Sequence, residues 1–562
     1  MIKRYFSILL SLIVGVIAQK NDLKQEVTPE TMDILCGDVF PYTCQESRYR
    51  SINASCNNLL HPTWAMPFTR NLRLLPADYA DGIRSPRLSK SGHPLPLPRK
   101  LSTELNPNDV NVDKKFTLAT MQMGQVIAHD LSLVNGPKGT PKNQCCSTQG
   151  KLDKDYFKKP LCYPLIIPKD DPGYKNSGVE CLFPFLRTIT DLDSGCSIEK
   201  GAATQLTVVT HVLDLSLVYG SNDSDASLLR RGKGGSLRFK IRNNQEWPPT
   251  VKEQYNLCNG TANVCYRAGD SRINQNPQLT VLQIVLFREH NRIAKFLAKL
   301  NSHWSDEKIF QETRRIMIAV HQSIIYHEWL PLILGLRNCY KNKLIYKTKE
   351  YVNDYDPLVN PGILNEFASA AFRSLHTLVA GNLKLVKENR QFPNSILRLG
   401  EHFFNATIVE KGQNYNDMAR GLFTQPSEAA DKYYDKEITL FLGRVTKNLG
   451  TDLRAFDIQR GRDHGLRSYI EYRTFCGLPE VSRWDDLLDL ISPEDVLKLS
   501  DLYETPADVD LTVGASLEKN VPHSLVGPTF HCLLTQQFLR TRIGDRYWYE
   551  NGNSGTPFTR SE

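Results

Sequence analysis

The sequence predicts a mainly α-helical protein that forms one large domain with little β-structure. Apolar residues recur at helical spacing in several long stretches, alternating strand patterns are scarce, and neither a linker nor an internal repeat marks a domain boundary. The length of 562 residues would by itself suggest more than one domain, at roughly one domain per 150 residues. Because no boundary is visible, we expect a single unit.

The helical periodicity is clearest in four stretches, which are residues 279–300, 306–330, 363–380 and 430–448. In the first of them, an apolar stripe is formed by Leu282, Val285, Leu286 and Ile293. We expect each stretch to be a helix. A longer apolar run at 316–336 contains His321, His327 and Glu328, which favours a buried helix over a membrane span.

The N-terminus is typical of a secretory signal peptide. Lys3 and Arg4 precede an apolar run that is too short to cross a bilayer, and Ala18 offers a small residue at the cut. We predict a signal peptide at 1–18 and a secreted chain from 19 to 562 without a membrane span. The first part of the secreted chain, about 19–110, is expected to be a loop-rich arm. The formal net charge of +8 shows no basic stripe with interleaved aromatics, which argues against nucleic-acid binding.

Thirteen cysteines suit an oxidising compartment, where disulfides persist. Cys44 lies close to Cys56 and Cys258 close to Cys265, and Cys476 and Cys532 are candidates to join the C-terminal part. A further group crowds one segment: Cys145, Cys146, Cys162, Cys181 and Cys196. The odd count leaves at least one thiol free or joined to another chain. Candidate glycosylation sequons begin at Asn53, Asn222, Asn259 and Asn405.

Side chains suited to catalysis concentrate in a few stretches. Gln125 and His129 stand four residues apart in GQVIAHD, so a helix would place both on one face. Arg272 follows in GDSR, and Arg373 and His376 lie in AFRSLHTLV. A lone histidine on an apolar helix is usually a core residue, and spacing alone does not bring these stretches together.

In this order, the stretches resemble the animal haem peroxidases, in particular the myeloperoxidase- and peroxinectin-like members. GQVIAHD, CYPLIIP, LDLSLVYGS, AGDSR, LFREHNRIA, AFRSLHTL and QRGRDHGL all occur in family order, and the resemblance covers nearly the whole mature chain. It implies a mostly α-helical catalytic domain with haem b between its central helices. It also implies hydrogen peroxide as the oxidant.

The resemblance gives individual residues a role. His376 would be the proximal iron ligand, and His129 the distal base that moves the peroxide proton. Arg272 would stabilise negative charge as the O–O bond breaks. Gln125 would hydrogen-bond distal water or an incoming anion, and Arg373 is expected beside the cofactor. QRGRDHGL is interpreted as a buried polar network, and LFREHNR as helix-surface packing.

The resemblance also implies a calcium site beside the distal histidine. Its ligands would be Asp130 together with Thr210, Val212, Asp214 and Ser216 of THVLDLS. Side-chain and backbone oxygens at this spacing can surround one hard cation, which would hold His129 through the adjacent residue. Considered alone, THVLDLS would be interpreted as a solvated turn.

Two departures from the family concern haem attachment. Many mammalian members carry an aspartate before the distal histidine, where this chain has Ala128, and a glutamate three residues after the distal arginine, where it has Gln275. Those acids form ester bonds to haem. Asn276 replaces a methionine that forms a sulfonium bond in one member. We therefore expect Gln275 beside a haem that is held non-covalently, by His376 and packing.

A third departure concerns the proximal histidine. An asparagine that hydrogen-bonds this histidine in the family is expected in GLFTQPSEAADKYY, where its place is taken by Ala430, with Asp431 adjacent. An acid or amide beside the proximal imidazole tunes the iron potential.

The predicted function is that of a secreted haem peroxidase that oxidises phenolic, catecholic or tyrosyl donors, or iodide, by one-electron steps. Two alternatives stay open. One is a catalytically weak adhesion or matrix protein on the same scaffold. The other is a fatty-acid dioxygenase, which would need a radical-forming tyrosine where this chain has Arg373. The sequence does not indicate the oligomeric state.

Overall fold

The computed structural model describes most of the chain. The described residues are 43–136, 145–182, 185–198, 201–251, 258, 262–392, 395–444, 450–553 and 557–558. The predicted signal peptide and the Asn259 sequon lie outside them. From residue 43 to 97 the described part of the N-terminal arm contains turns and isolated bridges but no helix. Its first helix is Pro98–Leu105.

The described fold is mainly helical, which confirms the predicted fold class. Its α-helices are Pro98–Leu105, Leu118–Leu131, Ser216–Tyr219, Asp223–Leu229, Pro277–Leu300, Asp306–Ser323, Leu330–Leu334, Leu336–Lys341, Asn365–Ser369, Thr407–Glu410, Asn414–Leu422, Lys436–Thr439, Leu453–Asp463, Tyr469–Phe475, Pro493–Leu502, Leu511–Leu517 and Pro528–Ile543. Shorter 3₁₀ segments are Tyr156–Lys158, Leu192–Ser194, Ser271–Asn274, Ala371–Leu378, Leu399–Glu401, Trp484–Asp489 and Pro506–Asp508. One π-helical segment spans Ile324–Trp329.

The β-structure consists of small antiparallel pairs. Val112–Thr117 pairs with Pro426–Glu428, Leu165–Ile166 with Cys181–Leu182, Lys240–Arg242 with Gln245–Trp247, and Asn382–Lys384 with Ile396–Arg398. The first pair joins the strand before the Leu118–Leu131 helix to a segment more than 300 positions away in the chain. It thereby fixes where that helix begins.

Three of the four predicted helical stretches are helical. Pro277–Leu300 and Asp306–Ser323 match the first two, and the second continues as the π-helical segment. The third stretch is divided between Asn365–Ser369 and Ala371–Leu378.

The prediction for 430–448 is wrong over its described part, because only Lys436–Thr439 is helical. Asp435 caps this short helix, and Leu440 already leaves helical geometry. At Gly443 the backbone enters the left-handed region, with φ +54°, so the chain turns instead of continuing the helix.

The buried side of Pro277–Leu300 also differs from the predicted stripe. Val281, Ile284, Phe287 and Ala294 are buried, whereas Val285 is 43% exposed. Polar residues share the buried side. His290, expected on the helix surface, is fully buried and hydrogen-bonds the Tyr219 hydroxyl and the Gly235 carbonyl. Hydrophobic periodicity missed this face because buried hydrogen bonds make polar residues part of it.

The largest core cluster packs the Leu118–Leu131 helix against Ala371–Leu378 and the π-helical segment. Gly124 lies at the point of closest approach. A Cβ there would come 2.8 Å from Leu375 Cδ1 and 3.2 Å from Trp329 Cζ2, so a larger side chain would push these elements apart. In the part of the chain that the structure describes, no helix is long and apolar enough to cross a membrane.

Between described residues, five disulfides join cysteines that the sequence analysis grouped together. The bonds are Cys44–Cys56, Cys145–Cys162, Cys146–Cys181, Cys258–Cys265 and Cys476–Cys532. Cys196 is also disulfide-bonded. Among the described cysteines, Cys339 is the free thiol, and burial raises its pKa to about 12. It is therefore protonated and unreactive at neutral pH.

Candidate active site

One cavity brings together the catalytic candidates from three separate stretches of sequence. Gln125, His129, Arg272, Gln275 and His376 all line it. Its empty volume, including the open mouth, is about 1280 Å³. Much of the wall is apolar and includes Phe372, Leu375, Val379, Phe403, Ile438 and Leu453. A mostly apolar group would therefore meet a matching wall in this space.

His129 lies on the Leu118–Leu131 helix and is only 5% exposed. Its imidazole makes no hydrogen bond to any described residue, and the buried Nδ1 has no partner. Burial, reinforced by the nearby charge of Arg272, lowers the pKa of His129 to about 3. The ring is therefore neutral at physiological pH, which is the form that can accept a proton.

Arg272 is held in place by the start of its own short helix. Asp270 caps Ser271–Asn274 by accepting from the Arg272 backbone N–H, and it also accepts from the Arg272 Nε, at 2.9 Å. The Arg272 Nη2 donates to the backbone carbonyl of His129 at 3.1 Å. Burial alone would raise the pKa of Asp270, but Arg272 holds it below its ordinary value. The guanidinium is thus fixed at the cavity wall, directly beside His129.

A network of amide side chains surrounds Gln125. Its Oε1 accepts from Gln122 Nε2 at 2.7 Å and from Asn276 Nδ2 at 2.9 Å, and its Nε2 donates to Gln275 Oε1 at 3.2 Å. Asn276 also caps the Pro277–Leu300 helix by accepting from Leu279 N–H. The network links the two helices that form this side of the cavity and orients the amide of Gln125.

His376 lies in the 3₁₀ segment Ala371–Leu378, with 26% of its side chain exposed. Its Nδ1 lies 2.7 Å from Oδ2 of Asp457, which is fully buried. Arg373 donates from Nη1 to the other carboxylate oxygen at 2.9 Å. Burial alone would raise the pKa of Asp457, but His376 and Arg373 hold it below its ordinary value. Because Nδ1 is bonded to a carboxylate, Nε2 is the nitrogen that remains for a metal.

The expectation that Ala430 occupies the place of the partner of His376 is wrong. Asp457 is that partner. Ala430 packs against the main core cluster and lines a neighbouring cavity instead. The carboxylate of Asp431 accepts from Asn111 Nδ2 and from Tyr433 N–H, so it does not hydrogen-bond His376 either. The backbone here follows the strand that pairs with Val112–Thr117, and this keeps both residues away from the imidazole.

QRGRDHGL forms a buried polar network, as predicted. Asp463 accepts from Arg187 and Arg460, and Arg462 pairs with Asp510. The motif continues the same helix that carries Asp457. These contacts fix the helix and so the carboxylate that holds His376.

The five predicted calcium ligands lie together beside His129. Leu215 N–H donates to Asp130 Oδ2 at 3.0 Å, and Ser216 Oγ donates to Asp130 Oδ1 at 3.1 Å. Thr210 Oγ1 donates to Asp214 Oδ1, and the Asp214 N–H donates to the Val212 carbonyl. All five predicted ligands are buried: Asp130, Thr210, Val212, Asp214 and Ser216.

One carboxylate oxygen of this cluster is free to bind a cation. The Asp214 Oδ2 is buried without a hydrogen-bond partner, and its nearest cation, Arg314, is 3.8 Å away. Burial and the neighbouring Asp130 carboxylate raise the pKa of Asp214. Oxygen donors of this kind suit a hard divalent cation. Among the described residues, no group of three or more His, Cys, Asp or Glu side chains offers a metal site.

The sequence did not reveal the partners that position these side chains. Asp270 stands in the recognised AGDSR motif, where its spacing from Arg272 could have suggested a cap. Asp457, three positions before Arg460 in the QRGRDHGL stretch, lies 81 residues from His376. No local pattern connects this pair. The amides of Gln122 and Asn276 were likewise not predicted to bind Gln125.

Comparison with protein families gives one match over nearly the whole described chain. The family described as "Animal haem peroxidase" matches residues 49–562. A Drosophila melanogaster protein named Peroxidase is 46% identical over 92% of this chain and 76% of its own length. Chorion peroxidase of the same species is 37% identical over 93% of this chain and 64% of its own length. The mouse peroxidasin homolog is 36% identical, and the match spans 36% of that longer protein.

Solved structures show the same fold. Peroxidase A from Dictyostelium discoideum superposes with a TM-score of 0.74 at 26% identity, over 91% of this chain and 95% of that chain. A fatty acid alpha-dioxygenase from Arabidopsis thaliana has a TM-score of 0.69 at 18% identity, over 90% of this chain and 76% of that chain. The second likeness concerns the fold alone.

Proposed function

The chain belongs to the animal haem peroxidase family, and we propose that it is a secreted enzyme that oxidises phenolic, catecholic or tyrosyl donors, or iodide, with hydrogen peroxide. The observation that carries the proposal is the shared cavity. A neutral His129 and the fixed cation of Arg272 line the same cavity as His376. The Nδ1 of His376 is hydrogen-bonded to Asp457, which leaves its Nε2 for a metal.

Haem b would be held in this cavity by His376 Nε2 as the iron ligand, and the apolar wall would pack against the porphyrin. When bound, haem supplies an iron that peroxide oxidises and that donors reduce again in one-electron steps. Asp457 contributes by accepting a hydrogen bond from Nδ1. This fixes the tautomer and the orientation of the imidazole and makes it a stronger ligand.

On the distal side, His129 is positioned to move one proton. A free imidazole nitrogen takes the proton from one oxygen of hydrogen peroxide and returns it to the other, so that water leaves. Arg272 stabilises the negative charge that develops while the O–O bond breaks. Asp270 keeps the guanidinium fixed, so little reorganisation is needed during the reaction. Gln125 offers its oriented amide to distal water or an incoming anion.

We further propose that the haem is bound without ester bonds. Ala128 and Gln275 both line the cavity, but neither side chain is an acid. The Gln275 amide is already engaged with Gln125. His376, Arg373 and the apolar wall would then hold the cofactor, and calcium at Asp130 and Asp214 would stabilise the helix that carries His129.

Secretion is supported by the apolar leader and by the disulfides of the described chain. The described sequons at Asn53, Asn222 and Asn405 are proposed glycosylation sites. Arg373 makes dioxygenase chemistry of the tyrosyl-radical type a poor fit, because it occupies the tyrosine position and its guanidinium is bonded to Asp457.

The direct test is guaiacol oxidation by the purified, haem-loaded protein. We expect peroxide-dependent turnover in the native protein. His376→Ala should lose both haem and turnover, whereas the control His327→Ala should keep both. His327 lies outside the cavity, with 36% of its side chain exposed. If the haem-loaded native protein fails to oxidise guaiacol, the peroxidase proposal is wrong and an adhesive role on this scaffold becomes the better account.

A further inference from the structure

A continuous run of aromatic rings leads away from the active-site cavity through the main core. The ring of Trp329 lies 6.3 Å from that of Phe538, and Phe538 lies 6.0 Å from Tyr326. Tyr326 lies 4.6 Å from Trp548, and Trp548 lies 5.7 Å from Tyr549. These are centroid separations at which aromatic rings are in contact. We call Trp329, Phe538, Tyr326, Trp548 and Tyr549 the aromatic run.

The inner end of the aromatic run reaches the cavity wall. Phe372 lines the cavity, and its ring lies 5.9 Å from that of Trp329. Gly124 also lines the cavity, and Trp329 Cζ2 lies only 3.2 Å from the point where a Cβ of Gly124 would stand. The absence of a side chain at Gly124 therefore brings an indole ring directly behind the wall.

The outer end reaches a different part of the molecule. Trp548 and Tyr549 line a second cavity, which has no lining residue in common with the active-site cavity. Arg48 lies at its rim with 41% of its side chain exposed. Tyr549 is partly buried and lines this cavity.

The chemistry of the aromatic run suits electron transfer. Indole and phenol rings lose one electron more readily than other side chains, and transfer between rings in contact is fast because it weakens steeply with separation. Trp548 Nε1 donates to Glu550 Oε2 at 3.0 Å, while the Arg542 guanidinium that pairs with Glu550 lies 5.3 Å from the centre of the Trp548 ring, so the two charges oppose each other at the indole. Burial raises the pKa of Tyr549 to about 12, so this phenol keeps its proton until an electron leaves.

The backbone around the inner rings is also unusual. Tyr326 and Trp329 both belong to the π-helical segment Ile324–Trp329. Single π-helical turns are uncommon and occur often at functional sites. Here the wider turn carries the two rings that link the cavity wall to Trp548.

We propose that the aromatic run carries electrons from Tyr549 to the cofactor, so that phenolic groups too large for the cavity, such as tyrosyl side chains of other proteins, are oxidised at the second cavity. This proposal rests on haem binding in the active-site cavity, as proposed above. One electron passes from Tyr549 through Trp548 and Tyr326, across the Phe538 ring that bridges Tyr326 and Trp329, to the cofactor that peroxide has oxidised. The phenolic proton passes to solvent. The Tyr549 radical then takes a hydrogen atom from the donor phenol, which restores Tyr549 and releases a phenoxyl radical.

The test compares a small donor with a tethered one. Guaiacol enters the active-site cavity, whereas tyramine coupled to dextran does not. We expect Tyr549→Phe and Trp548→Phe to lose oxidation of the dextran-bound phenol while guaiacol turnover stays at the native level. Tyr547→Phe is the matched control, because Tyr547 lines the same second cavity but has no ring contact with the aromatic run among the described residues.

A second measurement locates the radical directly. After peroxide is added without a donor, a nitroso spin trap should label Tyr549 in the native protein and in Tyr547→Phe, and peptide mass spectrometry should find no such label in Trp548→Phe. The route would be overturned if Tyr549→Phe and native protein, both active with guaiacol, oxidised the tethered phenol equally well. Guaiacol turnover without any oxidation of the tethered phenol by native protein would also overturn it. Failure with both donors would overturn the peroxidase proposal itself, and the route with it.

Discussion

The Nδ1 of His376 lies 2.7 Å from the Oδ2 of Asp457, a carboxylate that is fully buried and also bound by Arg373. A carboxylate in this position pulls the imidazole toward its anionic form. A ligand with more negative charge favours the oxidised iron over the reduced iron. In the proposed haem complex, the pair would therefore set both the strength of the metal bond and the potential of the cofactor.

Asp457→Asn tests this relationship, because it removes the charge but keeps the size and one acceptor oxygen. We expect the Fe(III)/Fe(II) potential to rise, because the imidazole becomes a weaker donor. Haem affinity or activity should fall by about 10–100-fold, as is typical when an outer partner of a metal-binding histidine is changed. Spectroelectrochemistry and haem titration measure the two effects. The exposed Asp485→Asn is the control, and an unchanged potential in Asp457→Asn would contradict the assigned role.

The proton transfer assigned to His129 predicts both a loss of rate and a pH profile. His129→Ala should slow the reaction with peroxide by about 10²–10⁴-fold. Because the pKa of His129 is lowered to about 3, the neutral base is lost only as the pH falls through that value. Stopped-flow rates with native protein should therefore be flat between about pH 5 and pH 8, where an unperturbed histidine would titrate. A midpoint near the ordinary histidine pKa would show that His129 is not the buried neutral base.

The attachment of haem can be changed at one position. Gln275→Glu places an acid at the cavity wall and keeps an oxygen that can accept from Gln125. We expect acidified organic solvent to extract haem from the native protein but less completely from Gln275→Glu after peroxide treatment. Gln122→Glu is the control, since Gln122 also contacts Gln125 but stands at another position in the network. Native haem that stays on the polypeptide would refute the non-covalent proposal.

Calcium removal should destabilise the protein and disturb the distal side. At a free calcium concentration 100 times the Kd, binding would add about 2.7 kcal/mol to the free energy of unfolding. A chelator should therefore lower Tm, and calcium should restore it. Asp214→Asn should abolish the calcium-dependent gain, while the exposed Asp223→Asn should keep it. A Tm that responds to neither chelator nor calcium would contradict this site.

The sequence was most informative where chemistry depends on local spacing. Gln125 and His129 share a helix face because they are four residues apart, and Thr210, Asp214 and Ser216 lie in one short loop beside Asp130. The motifs assigned roles to these residues, and the structure brings them together in one region.

Contacts between distant segments could not be predicted in the same way. Asp457 meets His376 only because the helix that carries it is fixed by the buried charges of QRGRDHGL. A local alignment pointed to Ala430 instead. The buried side of Pro277–Leu300 was misplaced for a related reason, since the hydrogen bonds of His290 are made with residues far away in the chain.

The most direct test of the whole account is a crystal structure of the haem-loaded protein. We expect a porphyrin in the cavity lined by His129 and His376, with the iron bonded to His376 Nε2 and the Asp457 hydrogen bond intact. An iron bonded to a different residue, or a porphyrin outside this cavity, would contradict it.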